Sequence, residues 1–268
     1  MKIKNIVEEL FVKMEIDCEK HGKVEITAMK GVAKYHCKYC KTEKEQQEKE
    51  MQAKIENEKM KKAKQEKIIA NFKSALIPPR FQEYNFDNFI ENDDRDKINK
   101  KAMFDYAINF DNNLKNGSSI ILSGTIGTGK THLSCAVANY IIKNLNKTAL
   151  FLNTIDAFGK IKATYSKKSE ITEIDALNQF IDVDLLILDE FGVQYGTEAE
   201  KMILFRIINK RYENLKPTIL ITNLATAELK KIDERVFDRM RHNGLLLVFN
   251  GESKRKNKVN SYPLKLSN

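Results

Sequence analysis

The feature that most constrains the fold of this chain is a glycine-rich segment between an apolar run and an amphipathic one. It reads Gly-Thr-Ile-Gly-Thr-Gly-Lys-Thr over Gly124–Thr131 and matches the pattern G-x-x-x-x-G-K-[ST]. The run Ser119–Ser123 predicts a buried strand, and Thr131–Asn144 predicts a helix. Backbone N–H groups at such a turn, with the positive end of the helix dipole, form a phosphate-binding loop. The segment therefore predicts a nucleotide-binding α/β fold.

The loop residues have separate expected roles. Lys130 reaches the β- and γ-phosphates of ATP, and Thr131 holds Mg²⁺ through its hydroxyl. A chance glycine-rich turn is the alternative, and the strand and helix on either side argue against it. The predicted nucleotide-binding residues are Gly124, Thr125, Gly127, Thr128, Gly129, Lys130, Thr131 and His132.

Two further apolar runs end in polar side chains. Asp189 and Glu190 close the run Leu185–Leu188, and Asn223 follows the run Thr218–Thr222. In enzymes with such a loop, an acid at this place holds Mg²⁺, so we expect Asp189 to do so and Glu190 to polarise the attacking water. Asn223 could sense the γ-phosphate or position the water. Adjacent acids also occur as helix caps and polar residues as turn residues, but the preceding loop favours the catalytic interpretation.

The chain divides by composition into three parts. Residues 77–268 alternate apolar strands with helices, which indicates a parallel sheet with helices on both faces. Residues 42–76 are rich in Lys, Glu and Gln, and Thr42–Ser74 contains no Gly or Pro, which predicts an exposed helix or linker. Residues 1–41 form an N-terminal module in which Met1–Met14 has apolar residues at helical spacing.

The N-terminal module carries two pairs of metal-ligand residues. Cys18 and His21 form one C-x2-H pair, and Cys37 and Cys40 form a C-x2-C pair fifteen residues later. Each pair can chelate, and the segment between them can fold back to close a tetrahedral Zn²⁺ site. His36 could replace His21, and free cysteines around ordinary turns are the alternative. A module this small has little core, so zinc would supply much of its folding free energy.

With these motifs the chain resembles an AAA+ ATPase of the DnaC/IstB type, specifically a helicase loader. The resemblance covers roughly residues 77 to 258. It rests on five segments, which are Ile77-Pro-Pro-Arg-Phe81, Gly124–Thr131 with the following His132-Leu133-Ser134, Asp189-Glu190-Phe191-Gly192, Thr222-Asn223 and Glu234–Arg241.

The resemblance implies a five-stranded AAA+ core with ATP bound between neighbouring subunits. It implies that Asn223 is the sensor 1 residue and that Arg239 is an arginine finger reaching a neighbour's γ-phosphate. Arg235 is a weaker candidate for that role, and Arg255 resembles the sensor 2 arginine. Without the resemblance, the arginines of residues 235–241 would be interpreted as a solvated basic helix face.

Charge and hydropathy limit the class of protein. The net charge of +9 and the isoelectric point near 9.1 favour a polyanionic partner such as nucleic acid, or reflect a lysine-rich proteome. No apolar stretch approaches the roughly 18 residues of a membrane span, so we expect no membrane association. Three clustered cysteines with metal-like spacing indicate a reducing cytoplasm.

Three functions fit these observations. The first is a replication protein that loads a DnaB-type hexameric helicase, binds single-stranded DNA, assembles as a homo-oligomer with ATP and releases the helicase on hydrolysis. The second is an IstB-like ATPase that helps a transposase. The third is a zinc-dependent DNA-binding adaptor in which ATP acts only as a switch.

Overall fold

The computed structural model describes residues 10–31, 36–166, 168–192, 197–228 and 233–255. Residues close in space group into two compact units, Met1–Gln65 and Glu66–Asn268. Within the described ranges, no helix combines the length and apolar character needed to cross a membrane.

The first unit contains an antiparallel hairpin of strands β1 (Phe11–Cys18) and β2 (Gly22–Met29). Residues 1–9 of the predicted helix Met1–Met14 lie outside the described residues. Over Phe11–Met14 the helical prediction is wrong, because these residues belong to β1. Their side chains alternate between exposed and half-buried, and pairing with β2 makes this period of two the decisive pattern.

A long polar helix, α1 (Lys38–Ser74), follows the hairpin. It accounts for the charged segment predicted to be helical. Ion pairs at i,i+4 spacing, such as Lys41–Glu45, support this exposed helix. Its last turns belong to the second unit, where the Asn71 amide donates a hydrogen bond to the Lys147 carbonyl over 3.2 Å.

The second unit alternates strands and helices. Its elements are the 3₁₀ turn Pro79–Phe81, α2 (Asp94–Ile108), α3 (Phe110–Lys115), β3 (Ile120–Gly124), α4 (Lys130–Leu145), β4 (Ala149–Asn153), α5 (Thr154–Ala163), α6 (Glu173–Ile181), β5 (Leu185–Phe191), α7 (Glu198–Glu213), β6 (Thr218–Thr222), α8 (Glu234–His242) and β7 (Leu245–Phe249). α2 and α3 are separated at Asn109, whose side-chain amide donates to the Asp105 carbonyl at 2.8 Å.

The five strands form one parallel sheet in the order β4-β5-β6-β3-β7, which confirms the predicted sheet. Alternate residues of each strand face opposite sides of the sheet. Ile120 and Leu122 of β3 pack into one apolar core, and Ile121 packs into the other. Helices cover both faces, so the sheet is buried on both sides.

The strand order places the functional side chains. β3 lies between β6 and β7, whereas the next strand in sequence, β4, lies at the far edge. The carboxyl ends of β3, β5 and β6 therefore meet at the crevice where the chain changes direction across the sheet. Ligands of open parallel sheets bind at such a position.

Candidate nucleotide-binding site and metal centre

The glycine-rich segment forms the turn between β3 and α4, as predicted. Gly124 has φ +136°, and a Cβ there would lie 2.0 Å from the Phe249 carbonyl oxygen. Gly127 has φ +82°, and a Cβ there would lie 2.1 Å from the Ser253 hydroxyl. These two positions require glycine because the turn is left-handed and lies directly against the chain at and after β7.

Lys130 is the first residue of α4, and its side chain is buried, with 5% of the residue exposed. Its ammonium donates hydrogen bonds to the carbonyls of Gly124 at 2.7 Å and Thr125 at 2.6 Å. Burial lowers the pKa of Lys130 to about 8, and the positive charge of Arg255 acts in the same direction. A dehydrated cation in this position would be stabilised by phosphate oxygens.

The two predicted Mg²⁺ ligands meet across the sheet edge. The Thr131 hydroxyl donates to the Asp189 carboxylate at 2.8 Å. Burial raises the pKa of Asp189, although hydrogen bonds from Thr131 and from the Glu190 amide oppose the shift. A hydroxyl beside a carboxylate offers the hard oxygen ligands that Mg²⁺ prefers, so the donor set fits the ion.

Glu190 adopts a left-handed backbone conformation with φ +57°. Its carboxylate accepts a hydrogen bond from the side-chain amide of Asn153, the last residue of β4. Asn153 also caps α5, since its side-chain oxygen accepts from the Ile155 amide at 2.9 Å. Asn153 is a further residue of the site, and its place at the end of a third strand was the sequence signal for it.

A cavity of about 650 Å³ lies over the loop. It brings together most of the predicted site residues, which are Gly127, Gly129, Lys130, Thr131, His132, Asp189, Glu190, Asn223 and Arg255. The other predicted loop residues support it from below. Gly124 and Thr125 accept from Lys130, and the buried Thr128 hydroxyl donates to the Thr125 carbonyl at 2.8 Å.

One wall of the cavity was missed by sequence reasoning. It comes mainly from the segment between the Pro79 turn and α2, with Arg80, Phe81, Tyr84, Asn88, Phe89 and Ile90. The Tyr84 ring stacks on His132 with centroids 4.1 Å apart and planes inclined by 10°. Burial lowers the pKa of His132, which favours the neutral imidazole. Four of these six wall residues are aromatic or apolar, and the Ile77–Phe81 motif was the signal that could have indicated the wall.

Arg239 lies outside this cavity, on α8. Its guanidinium donates to the Asn209 side chain and lies 4.9 Å from the centre of the Phe205 ring. Arg235 lies over the same ring at 4.3 Å and pairs with Asp233. The predicted arginine finger is thus half-buried and does not line the nucleotide cavity of its own chain.

The four predicted zinc ligands lie together in the first unit. Their ligand atoms, from Cys18, His21, Cys37 and Cys40, are all within 4.8 Å of one another. The sulfurs of Cys18 and Cys40 are 3.5 Å apart, and the His21 Nδ1 lies 3.3 to 3.7 Å from the three sulfurs. Tetrahedral zinc places sulfur atoms about 3.8 Å apart and sulfur and nitrogen about 3.6 Å apart. The cluster therefore fits a zinc ion.

Hydrogen bonds within the cluster shift the pKa values of two of its thiols in opposite directions. The hydrogen bond from His21 lowers the pKa of Cys18 to about 6, whereas Cys18 raises that of Cys40 to about 11. The His21 Nε2 lies 3.1 Å from a Glu43 carboxylate oxygen, so Nδ1 is the nitrogen that faces the sulfurs. His36 is exposed and is absent from the cluster found among the described residues.

Comparisons with known proteins agree with this geometry. The family model described as IstB-like ATP binding protein matches residues 21–261. The replicative helicase loader DnaC of Buchnera aphidicola subsp. Baizongia pistaciae is 40% identical over 175 residues, covering 64% of this chain and 69% of that protein. DnaC of Escherichia coli strain K12 is 35% identical over 192 residues, covering 70% and 76%.

Solved structures share the fold over about two thirds of this chain. The crystal structure of the DnaC helicase loader aligns with a TM-score of 0.58 at 24% identity, over 64% of this chain and 99% of that one. AMPPCP-bound DnaA from Aquifex aeolicus aligns with a TM-score of 0.53 at 25% identity, over 69% and 54%. The protein therefore has an AAA+ P-loop ATPase fold and belongs to the IstB/DnaC family of ATP-binding proteins.

Proposed function

We propose that this protein loads a replicative DnaB-type helicase onto single-stranded DNA and that ATP hydrolysis at Gly124–Thr131 controls release. The observation that carries the proposal is the identity of 35–40% to proteins named replicative helicase loader, over 64–70% of this chain. That shared region is the size of the ATPase unit, and this chain has a nucleotide cavity with both carboxylates in place.

The site residues divide the work of hydrolysis. Lys130 and the loop amides hold the phosphates, and Thr131 with Asp189 would hold Mg²⁺, which offsets phosphate charge when bound. The Glu190 carboxylate lies at the same sheet edge and would orient and polarise the attacking water. Asn223, at the end of β6, would contact the γ-phosphate or that water.

Transition-state charge on the γ-phosphate requires a further cation, and Arg239 is our candidate. Because its guanidinium lies outside its own cavity, it would act in the site of a neighbouring subunit. The working site would then be shared, and ATP would promote assembly of a homo-oligomer. Arg255 lines the cavity of its own chain and would contact the nucleotide in cis.

We assign the remaining parts of the chain to partner binding. The zinc module within residues 1–41 would dock on the helicase, residues 42–76 would connect it as a helical linker, and residues 77–268 would form the ATPase. The basic excess of the chain suits backbone contacts to single-stranded DNA. Replication function and thiolate zinc ligands fit a reducing cytoplasm.

The test is co-purification of tagged protein with the host's replicative helicase in ATP and in ADP. We expect helicase to be retained with ATP and released with ADP, and we expect Lys130→Ala to lose the difference between the two nucleotides. A zinc-ligand variant, Cys40→Ser, should lose helicase binding while keeping ATP binding. Absence of helicase binding in both nucleotides would refute the loader proposal.

A second function is favoured by the family description itself, which names IstB-like proteins. In that case the same ATPase would remodel a complex of a transposase with DNA. Retention of a transposase, instead of the helicase, in the co-purification would identify this alternative.

A further inference from the structure

The segment that follows β7 lies across the phosphate loop. We call Gly251–Arg255 the C-terminal strap. The Thr125 hydroxyl donates to the Gly251 carbonyl at 3.1 Å, and the Lys254 amide donates to the Gly127 carbonyl at 2.9 Å. Ser253 occupies the space beside Gly127 that a side chain would need. The strap therefore fixes the loop from outside the sheet.

Lys254 anchors the strap to a different part of the fold. Its ammonium pairs with the Asp96 carboxylate in the first turn of α2, and both side chains are almost buried, at 12% and 13% exposed. The ammonium also donates to the Ile90 carbonyl at 2.6 Å and lies 4.6 Å from the centre of the Phe89 ring. Three contacts of this one side chain, an ion pair, a hydrogen bond and a cation–π contact, leave the strap little freedom.

Asp96 is also held in place by hydrogen bonds that do not involve Lys254. Its carboxylate accepts from the Asn92 amide at 2.9 Å, and its own amide donates to the Asp93 side chain at 2.8 Å. The anchor point is thus part of a helix cap rather than a mobile surface acid. Because the Asp96 carboxylate is itself fixed by hydrogen bonds, its ion pair with Lys254 fixes the position of the strap.

The residue after the anchor faces the nucleotide cavity. Arg255 and Lys254 both line the cavity with Lys130, and the Lys254 ammonium is held there by its ion pair with Asp96. The ion pair of Lys254 therefore determines the position of the next residue, Arg255.

We infer that Lys254 is a positioning residue for nucleotide binding. Its ion pair with Asp96 holds the strap on the loop, which keeps Gly127 in its phosphate-binding conformation and brings Arg255 to the phosphates. The inference rests on the ATP site proposed above, but not on helicase loading. A loop organised before binding gives higher affinity because less order is imposed when the ligand arrives.

The test measures the affinity of the purified protein for a fluorescent ATP analogue. We expect Lys254→Met to weaken binding by about tenfold or more, because the loop and Arg255 lose their common support. We expect Lys254→Arg to retain most of the affinity, since a guanidinium can still pair with Asp96.

Breaking a buried ion pair also leaves an unpaired charge, so stability must be separated from positioning. The double variant Asp96→Asn with Lys254→Met removes both charges and leaves an oxygen that accepts from the Asn92 amide. We expect the melting temperature of this double variant to be higher than that of Lys254→Met. Its ATP affinity should remain about tenfold weaker than that of the wild-type protein. Lys101→Met is the control, because it removes an ion pair with Asp105 within the same helix, α2.

Wild-type ATP affinity in the double variant would overturn the inference, as would affinities that follow the melting temperatures across the series. A wild-type protein that fails to bind ATP would instead refute the proposed nucleotide site. Normal nucleotide binding without helicase retention would refute only the loader function.

Discussion

The buried ammonium of Lys130 predicts an unusual dependence of stability on pH. In the folded protein its pKa is lowered from 10.5 to about 8 by burial, so the charged form is disfavoured relative to the unfolded chain. The resulting penalty on folding is fully present below pH 8. It is relieved as the pH rises from about 8 toward 10.5, because the folded protein then releases a proton that the unfolded chain keeps.

The magnitude follows from the size of the shift. A difference of about 2.5 pKa units corresponds to about 3 kcal/mol at 1.36 kcal/mol per unit. About 2 kcal/mol of that amount is recovered between pH 7 and about pH 9.5, where the unfolded chain is still mostly protonated. The wild-type protein should therefore gain about 2 kcal/mol over this range relative to Lys130→Met, which has no group to titrate.

Urea unfolding of both proteins at several pH values measures this difference. The chain contains no tryptophan, so circular dichroism is the suitable signal. Lost hydrogen bonds to Gly124 and Thr125 change the stability of Lys130→Met by an amount that does not depend on pH. The pH dependence of the difference therefore isolates the charge.

Lys100→Met serves as the control, because it removes an ammonium of the same unit from outside the nucleotide cavity. A difference between wild type and Lys130→Met that stays flat from pH 7 to about pH 9.5 would refute the reasoning. A decrease with rising pH would show that the folded site stabilises the ammonium instead.

Three other predictions concern turnover and zinc. Glu190→Gln should lower ATP turnover by about a hundredfold or more with ATP affinity retained, since it removes the carboxylate that we propose polarises water; unchanged turnover would contradict the catalytic assignment and favour ATP as a switch. Arg239→Ala should abolish turnover, by about a thousandfold, and spare ATP binding in equilibrium titrations; loss of both together would indicate a structural arginine. Metal analysis should find about one zinc per chain, and Glu43→Gln should weaken zinc binding about tenfold in chelator competition, with Glu45→Gln unchanged; a zinc-free protein would remove the site.

Local patterns in the sequence were sufficient for the parallel sheet and its phosphate loop. The strand predicted over Thr218–Thr222 has the observed bounds, and that over Ser119–Ser123 is displaced by one residue. Apolar runs, glycine spacing and helix periodicity are properties of neighbouring residues, so they can be interpreted without knowing what packs against them. The spacing of Cys18, His21, Cys37 and Cys40 likewise predicted that these four residues lie together.

Errors and omissions arose where the deciding contact was distant in sequence. Phe11–Met14 form a strand because β2 pairs with them, although the spacing of the apolar residues in Met1–Met14 favoured a helix. His21 rather than His36 joins the cysteines because the hairpin turn brings it there. Sequence spacing alone could not decide which of these two histidines is the metal ligand.

The sequence by itself determined a parallel sheet and predicted a phosphate-binding loop at Gly124–Thr131. Only the tertiary structure decided what surrounds that loop. The Asn153 amide meets Glu190 because β4 and β5 are paired in register, and Lys254 meets Asp96 across 158 positions of sequence. Such contacts depend on strand order and on the path of the chain after β7, which no local periodicity specifies.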